Sequence, residues 1–406
     1  MKKSAFFDFL NRRENGDFDR FLRNAIEDED YINWNEFVLP NDYGDAEAEY
    51  RSIRNSCAIF DVSPLRKFRI RGAGTRVFLD RLFTRPVSKT PSMRGTYVIF
   101  CNADGSLKDD AILYKFADDD YLLMPSDIDH TRYFESLRKD LKLDRNELSI
   151  IDCTDAWVGV AVQGPLSAAV LLNMGYQGIE GLKPFEMRDY PLSEGTVRVA
   201  RMGFTADLGY ECWFTPALIG VFEQSIRSAR LSMGIDIPGY GLTALDVCRL
   251  EGGFVVAGWD FATEADPAPG FERSPFEVGL GWLVRLDGAD FVGRDALLLQ
   301  KKNGLRYTLR ILEIDDPRKP EDGAELHAKI NGRECIVGQV NCSRWSWGLE
   351  RIIGTASIER QYVETGEFWT LMGGERLVVK LSRGPLLDLP RRNEVPPGLK
   401  ACDHPD

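Results

Sequence analysis

The chain has 406 residues, and 63 Asp and Glu against 51 Lys and Arg give a formal charge of −12. Lacking a basic block, it is a poor holder of phosphate backbones, since such binding relies on Lys and Arg displacing counterions, so nucleic acid is excluded as the main partner. With 44% apolar and 28% charged residues it reads as a globular protein with material for two or three domains.

The start, MKKSAFFDFLNRR, places two lysines before an apolar run, but Asp8, Arg12 and Arg13 cut that run far below the ~18–20 residues that span a bilayer. The expectation is a cytoplasmic protein with no membrane partner. Residues Phe6 to about Asp30 read as short helices, and the stripe Tyr50, Ile53, Cys57, Phe60 predicts an amphipathic helix continuing through Phe60. Strands follow over 67–72, 96–102, 111–116, 120–125 and 157–164, with helices at 131–141 and 165–172 between them. From Gly195 the order recurs, with strands TVRVARMGF and YECWFTP and helices near 218–232 and 242–250. This is an α+β body rather than a regular βαβ wind. Residues 260–274 form a long polar loop, and only short strands follow Gln300, so a small β domain begins at about 305.

The eight cysteines contain no CxxC pair, and the three histidines, His130, His327 and His404, lack a supporting motif, so neither a metal cluster nor a serine-hydrolase triad is expected. Arg71-Gly72-Ala73-Gly74 after a strand imitates a dinucleotide loop, but Val77 stands where the third glycine belongs.

Two carboxylate motifs carry more. Asn102–Ile112 is a turn returning into a strand that opens on Asp109 and Asp110; neighbouring strand side chains point to opposite faces, so one of the two turns inward. Farther on, Glu211 sits between Tyr210 and Trp213. A carboxylate among aromatic rings suits a flat, N–H-rich heterocycle, which it can hold by two parallel hydrogen bonds while the rings stack. Arg249 and Glu251 then close a helix before Gly252 and Gly253, an ion pair at a helix end being the plainer reading.

Taken in order, Glu49–Arg54, Phe60-Asp61-Val62-Ser63, Gly105–Asp110, Val162-Gln163-Gly164-Pro165, Gly203-Phe204-Thr205 with Gly209-Tyr210-Glu211, Ala244–Gly253, Pro275–Trp282 and Asp290–Leu297 resemble the folate-dependent glycine-cleavage T-protein (aminomethyltransferase) family over most of the chain. The resemblance implies a three-domain cloverleaf around a central channel for tetrahydrofolate, with a small carboxy-terminal β-barrel or jelly roll. The corresponding division is an extension over 1–45, a folate-binding body of two intertwined α+β domains over 46–300, and the β-barrel over 305–395. It implies that Asp109 is the catalytic aspartate near the folate nitrogens, that Glu211 grips the pterin, and that Tyr97, Phe204 and Tyr210 wall it. Ser126, Asp127, Phe185 and Arg249 complete the implied folate contacts.

Departures narrow the activity. Pro64-Leu65 stands where the family continues with His-Met, Leu245 replaces an arginine, and Pro125-Ser126-Asp127-Ile128-Asp129 replaces the family's asparagine at the end of the strand after the aspartate pair. That stretch, together with Asn35 and Leu39-Pro40, is more similar to the demethylase branch typified by dimethylsulfoniopropionate demethylase. The expectation is methyl transfer from a small N-, S- or O-methylated donor to N5 of tetrahydrofolate, by a monomer or homodimer that does not use H-protein. Trp34, Asn35, Tyr210 and Trp213 are the expected donor contacts, an onium donor being suited to a cation–π wall. The alternatives are an aminomethyltransferase proper and a folate-binding assembly protein without turnover.

Overall fold

The computed structural model of the chain describes residues 2–4, 6–10 and 31–394, so most of the predicted amino-terminal helical segment lies outside it, as do Cys402 and His404. Two five-stranded antiparallel sheets form the body. In spatial order the first holds Met187–Leu192, Gly195–Ala200, Gly209–Phe214, Val158–Gln163 and Ala58–Asp61. The second holds Arg94–Cys101, Leu107–Ala117, Asp120–Pro125, Phe68–Arg71 and Ser149–Asp152. The first sheet takes its edge strand from before the second: Ala58–Asp61 precedes Phe68–Arg71 in the chain but pairs with Val158–Gln163. The second sheet is one contiguous piece of chain over 68–152, and the first is split around it.

The helix predicted through Phe60 ends sooner. Asp45 caps its start by accepting from the Ala48 amide at 2.9 Å, it runs over Ala46–Asn55, and Ser56 leaves helical backbone at φ −141° and ψ −117°. Ala58–Asp61 is then a strand buried at all four positions. A strand buried on both faces shows no alternation, and its apolar residues imitate a helical stripe. The strand carrying the paired aspartates likewise begins earlier than expected, at Leu107, so both carboxylates lie within the pleat.

One face of each sheet carries helices. Ser167–Asn173 and Ile219–Met233 cover Val160, Tyr210, Cys212 and Phe214 of the first sheet. Thr75–Leu82 and Thr131–Asp140 cover Phe100, Ala111, Leu113 and Leu123 of the second. The opposite faces meet in a seam where Phe60, Ala161 and Trp213 pack with Tyr114 and Met124, and with Tyr50, Tyr240 and Val247. Backbone bonds stitch the seam at one end, from the Met187 amide to the Met93 carbonyl at 2.9 Å and from the Gly95 amide to the Phe185 carbonyl at 2.8 Å.

The carboxy-terminal strands close into a six-stranded barrel of Tyr307–Ile314, Arg351–Glu359, Arg333–Ser346, Glu325–Ile330, Phe368–Met372 and Glu375–Ser382. The helix Leu242–Glu251 lies between this barrel and the helix Ala46–Asn55. Its last residue, Glu251, joins all three parts: Arg54 reaches its Oε2 at 2.6 Å, while the Tyr50 and Ser346 hydroxyls donate to Oε1 at 2.7 and 2.6 Å. Arg54 also meets Asp207 at 3.1 Å. Removing one member of a buried ion network leaves an uncompensated charge, so Glu251→Ala is expected to destabilise the protein by about 3–5 kcal/mol. Urea unfolding checks this; a loss under about 1 kcal/mol would mean that the network contributes no more than a surface pair.

Candidate active site

The pleat of Leu107–Ala117 separates the two aspartates. Asp109 points with Ala111 and Leu113 into the helix-covered core; it is fully buried, accepting the Ser126 hydroxyl at 2.7 Å and facing His130 Nε2 at 2.8 Å. Asp110 points the other way, with Ile112 and Tyr114, toward the seam. The Tyr97 hydroxyl donates to Asp110 Oδ2 at 2.8 Å, and Tyr97 in turn lies 6.3 Å from the half-exposed ring of Trp282. Asp110 keeps some accessible surface although protein surrounds it, as expected of a group in a recess. Burial, with the charge of Asp109 adding to it, pushes the Asp110 carboxyl up to about 7. Asp110 therefore faces the seam side of the strand, and the predicted Asp109 stands one layer behind it.

The facing wall comes from Gly209–Phe214. Glu211 and Trp213 share the seam side of this strand, and Glu211 lies against the Tyr114 hydroxyl of the second sheet. Four residues of strand separate Tyr114 from Asp110, so Glu211 and Asp110 stand about 13 Å apart along the backbone of the second sheet. Burial pushes the Glu211 carboxyl up to about 7, against the opposing influence of Trp213, Tyr114 and the charge of Lys67. Lys67 is itself buried, donating to the Ser63 and Leu65 carbonyls at 2.8 and 2.7 Å, with its Nζ 5.2 Å from the Trp213 ring. Burial lowers its amine to about 8.

Two local devices deliver Glu211. The buried Gln163 side chain donates to the Met202 and Tyr210 carbonyls and accepts the Thr205 hydroxyl at 2.8 Å, so it holds the turn that feeds the strand. Gly159 lies opposite Trp213, and a Cβ there would come 2.1 Å from the indole. Only glycine lets the ring lie across that strand. Gly159→Ala is expected to displace Trp213 and cost about 1–3 kcal/mol, read as a lower melting temperature with a changed tryptophan emission.

The other predicted residues divide by location. Tyr210 is on the reverse side of its strand from Glu211, wholly buried beneath the helices of the first sheet, because adjacent strand residues alternate. It does not face the seam. Arg249 is spent inside the helix–barrel junction on Asp246 at 2.6 Å, Asp260 at 3.2 Å, the Phe254 carbonyl and Cys342. Phe185 lies at the stitched end of the seam, its amide bonded to the Arg201 carbonyl at 2.8 Å. Phe204 is exposed and packs on Phe254 with 5.2 Å between ring centroids. Ser126 binds Asp109, and Asp127 is the next residue of that turn, its carboxyl pushed up by burial and by the Asp109 charge.

Trp34 and Asn35 sit at the tip of a hairpin of Tyr31–Trp34 and Phe37–Pro40. Asn35 and Glu36 both adopt positive φ, 50° and 66°, the backbone of a two-residue type I′ turn. The tip bends over the loop with the Pro64-Leu65 replacement: Asn35 Nδ2 donates to the Pro64 carbonyl at 2.6 Å, and Trp34 packs on Phe60 with 6.3 Å between rings. The long loop after Trp259 borders a cavity of about 340 Å³ against barrel residues Gln339 and Asn341. It reaches the second sheet through Glu264, 2.7 Å from Lys108. Tyr114, Lys67 and His130 are not among the residues singled out from the sequence, and of the aspartate pair Asp109 alone is given a role. The alternation between Asp109 and Asp110 is legible from the pleat, but not which of the two turns inward, and His130 is recognisable only once the fold brings it to Asp109.

A profile of the GCVT N-terminal domain matches residues 29–288. The chain belongs to the GCVT family. Similar members are the aminomethyltransferases of Lysinibacillus sphaericus strain C3-41 and Halothermothrix orenii strain H 168. The first is 28% identical over 350 residues, 86% of this chain and 90% of the relative, and the second 28% identical over 359 residues, 88% and 95%. The crystal structure of glycine cleavage system aminomethyltransferase T from Bartonella henselae superposes with a TM-score of 0.77 at 20% identity, covering 95% of this chain and 98% of that one, a likeness of fold. GCVT-family enzymes carry out folate-dependent methyl or aminomethyl transfer with tetrahydrofolate as co-substrate.

Polar groups beside the seam have chemistry suited to such a co-substrate. Neither Asp110 nor Glu211 is ion-paired among the described residues, and the buried Trp213 Nε1 makes no well-formed hydrogen bond. Buried polar groups left in this state are ready to bind a ligand rich in N–H and ring nitrogen.

Proposed function

We propose that the protein is a tetrahydrofolate-dependent methyltransferase that demethylates a small N-, S- or O-methylated metabolite. The observation that carries the reading is the pair of unneutralised carboxylates, Asp110 and Glu211, on facing sheets of a folate-family fold. Glu211 accepts the pterin's ring and amino N–H groups in a charge-assisted pair. When bound, tetrahydrofolate supplies N5, whose lone pair takes the methyl carbon as the donor's carbon–heteroatom bond breaks and its electron pair stays on the heteroatom. Asp110 removes the proton from N5, and the Tyr97 hydroxyl fixes its carboxylate in place. The enclosed seam excludes water and aligns the two partners, which supplies most of the acceleration for an in-line displacement. Arg85, half-buried beside Trp282 and without a carboxylate partner within 4 Å among the described residues, bonds the Tyr97 carbonyl at 2.7 Å and meets the negatively charged glutamate end of the folate.

The hairpin tip over Pro64-Leu65 favours a small free donor, since Trp34 and Asn35 cover the loop where the family pattern has His-Met. Aminomethyl transfer is the second reading, favoured by the names of the similar proteins. Incubation with tetrahydrofolate and a panel of sulfonium, ammonium and methoxy donors separates the two. The methyltransferase reading predicts 5-methyltetrahydrofolate with at least one donor. Methylenetetrahydrofolate from aminomethylated H-protein, with no methyl product from any donor, would overturn it.

A further inference from the structure

After Ser382 the chain leaves the barrel and crosses back over the body, a path that the reaction above leaves unused. The Leu386 and Leu387 amides both donate to the Glu251 carbonyl at 2.9 Å, and a short turn over Pro390–Arg392 then presents two arginines to the first sheet. Arg391 closes a fork on Asp207, with Nε on Oδ1 at 2.6 Å and Nη2 on Oδ2 at 2.9 Å, and the same Nη2 donates to the Arg54 carbonyl at 2.8 Å. The Arg201 guanidinium reaches the Arg391 and Arg392 carbonyls at 3.5 and 3.3 Å. The Arg392 guanidinium lies 4.7 Å from the ring of Phe254, the residue on which Phe204 packs. Arg201 and Asp207 flank the turn that feeds the Glu211 strand, so the tail grips that turn at its entry, its middle and its exit.

The turn needs such a grip. Ala206 within it has φ 55°, a left-handed backbone that a residue with a Cβ rarely adopts, and its buried methyl group lies over Gly252, where a second Cβ would come within 2.2 Å. A conformation of this kind persists only where the surroundings over-determine it. Gln163 holds the turn from the body side through the Thr205 hydroxyl, and Asp207 Oδ1 holds its end by accepting the Leu208 amide at 2.8 Å. Arg54 meets that carboxylate through one nitrogen at 3.1 Å, whereas the Arg391 fork fixes its plane as well as its charge. We propose that Arg391 is a positioning residue for folate binding: from the carboxy-terminal tail it fixes the turn over 201–208 and thereby sets Glu211 against the pterin. The inference rests on the reading that Glu211 holds the pterin. Glu211 pairs with Ala200 on the last rung between Gly195–Ala200 and Gly209–Phe214, so the turn begins immediately beyond it and a turn free to shift carries that rung with it. The folate wall of the first sheet thus depends on a tail that starts from the barrel.

Hydrogen–deuterium exchange of the ligand-free protein reads the turn directly at the Leu208 amide, whose acceptor is Asp207. In Arg391→Ala this amide is expected to exchange about 10–100-fold faster than in the native protein. The same variant should bind tetrahydrofolate about 10-fold more weakly by calorimetry and keep its turnover at saturating folate, a split that general loosening of the fold does not produce. Arg391→Lys, which keeps the charge but not the fork, should recover part of the affinity. Native exchange at Leu208 in Arg391→Ala overturns the inference. Faster exchange with native affinity overturns it as well when Glu211→Gln weakens binding. When Glu211→Gln also binds as the native protein does, the reading of Glu211 as the pterin's carboxylate falls and the grip of Arg391 on the turn stands. Should Arg391→Ala fail to fold, Arg391→Lys predicts a smaller acceleration at the same amide, and native exchange there overturns the inference equally.

Discussion

Asp110→Asn is expected to lower turnover by about 10²–10⁴-fold, the usual contribution of a positioned base, while the protein remains folded. The replacement keeps the shape of the side chain and its bond to Tyr97 but cannot take a proton from N5. Burial and the neighbouring Asp109 hold the native carboxyl up to about 7, so the base form accumulates as pH rises through that value, and native turnover should climb between pH 6 and 8. Stability runs the other way. A carboxyl whose folded-state pKa lies above its unfolded one favours the fold at low pH, and that advantage is lost as pH rises through the folded value. Asp110→Asn should therefore melt a few degrees higher than the native protein at pH 8 and show little gain at pH 5. Asp109→Asn behaves differently, because it leaves His130 and Ser126 facing a neutral partner in the core. It should lower melting temperature at both pH values. If Asp109→Asn removes turnover without destabilisation and Asp110→Asn turns over normally, the two roles are reversed.

Glu211→Gln is expected to weaken tetrahydrofolate binding by about 10–100-fold, since hydrogen bonds to a charged group contribute about 1.5–3 kcal/mol. Its carboxyl is also held up to about 7 by burial, so native affinity should tighten from pH 6 to 8 as the carboxylate forms, and the Gln variant should show a flat profile. Titration calorimetry at three pH values is sufficient. Equal affinity of the two proteins at pH 8 would place the pterin elsewhere.

Much of this arrangement was legible from residue order. The strands around Asp109, Asp110 and Glu211, the helix near Leu242 and the change to β structure after Gln300 all appear in the fold, and the last becomes a closed barrel. Facing was less legible. Asp109 and Tyr210 lie beside neighbours that the pleat sends the opposite way: Asp110 turns toward the seam, and Tyr210 faces a different core from its neighbour Glu211. The helix overran into Ala58–Asp61 because a strand buried on both faces carries no alternation. Arg249 looked available, but its partners Asp260 and Cys342 lie 11 and 93 residues away, and no local pattern announces them. Trp213 follows the same logic in reverse: its place against Glu211 depends on the absent side chain of Gly159, on a strand some fifty residues earlier.

The central claim is that the folate ring occupies the seam, with its reacting nitrogen at Asp110 and its amino edge at Glu211. A crystal structure of the protein with 5-methyltetrahydrofolate tests it most directly. The account predicts N5 within hydrogen-bond or one-water reach of the Asp110 carboxyl, and the pterin N–H groups on Glu211. A pterin bound outside the seam, or one whose N5 faces neither carboxylate, would contradict it.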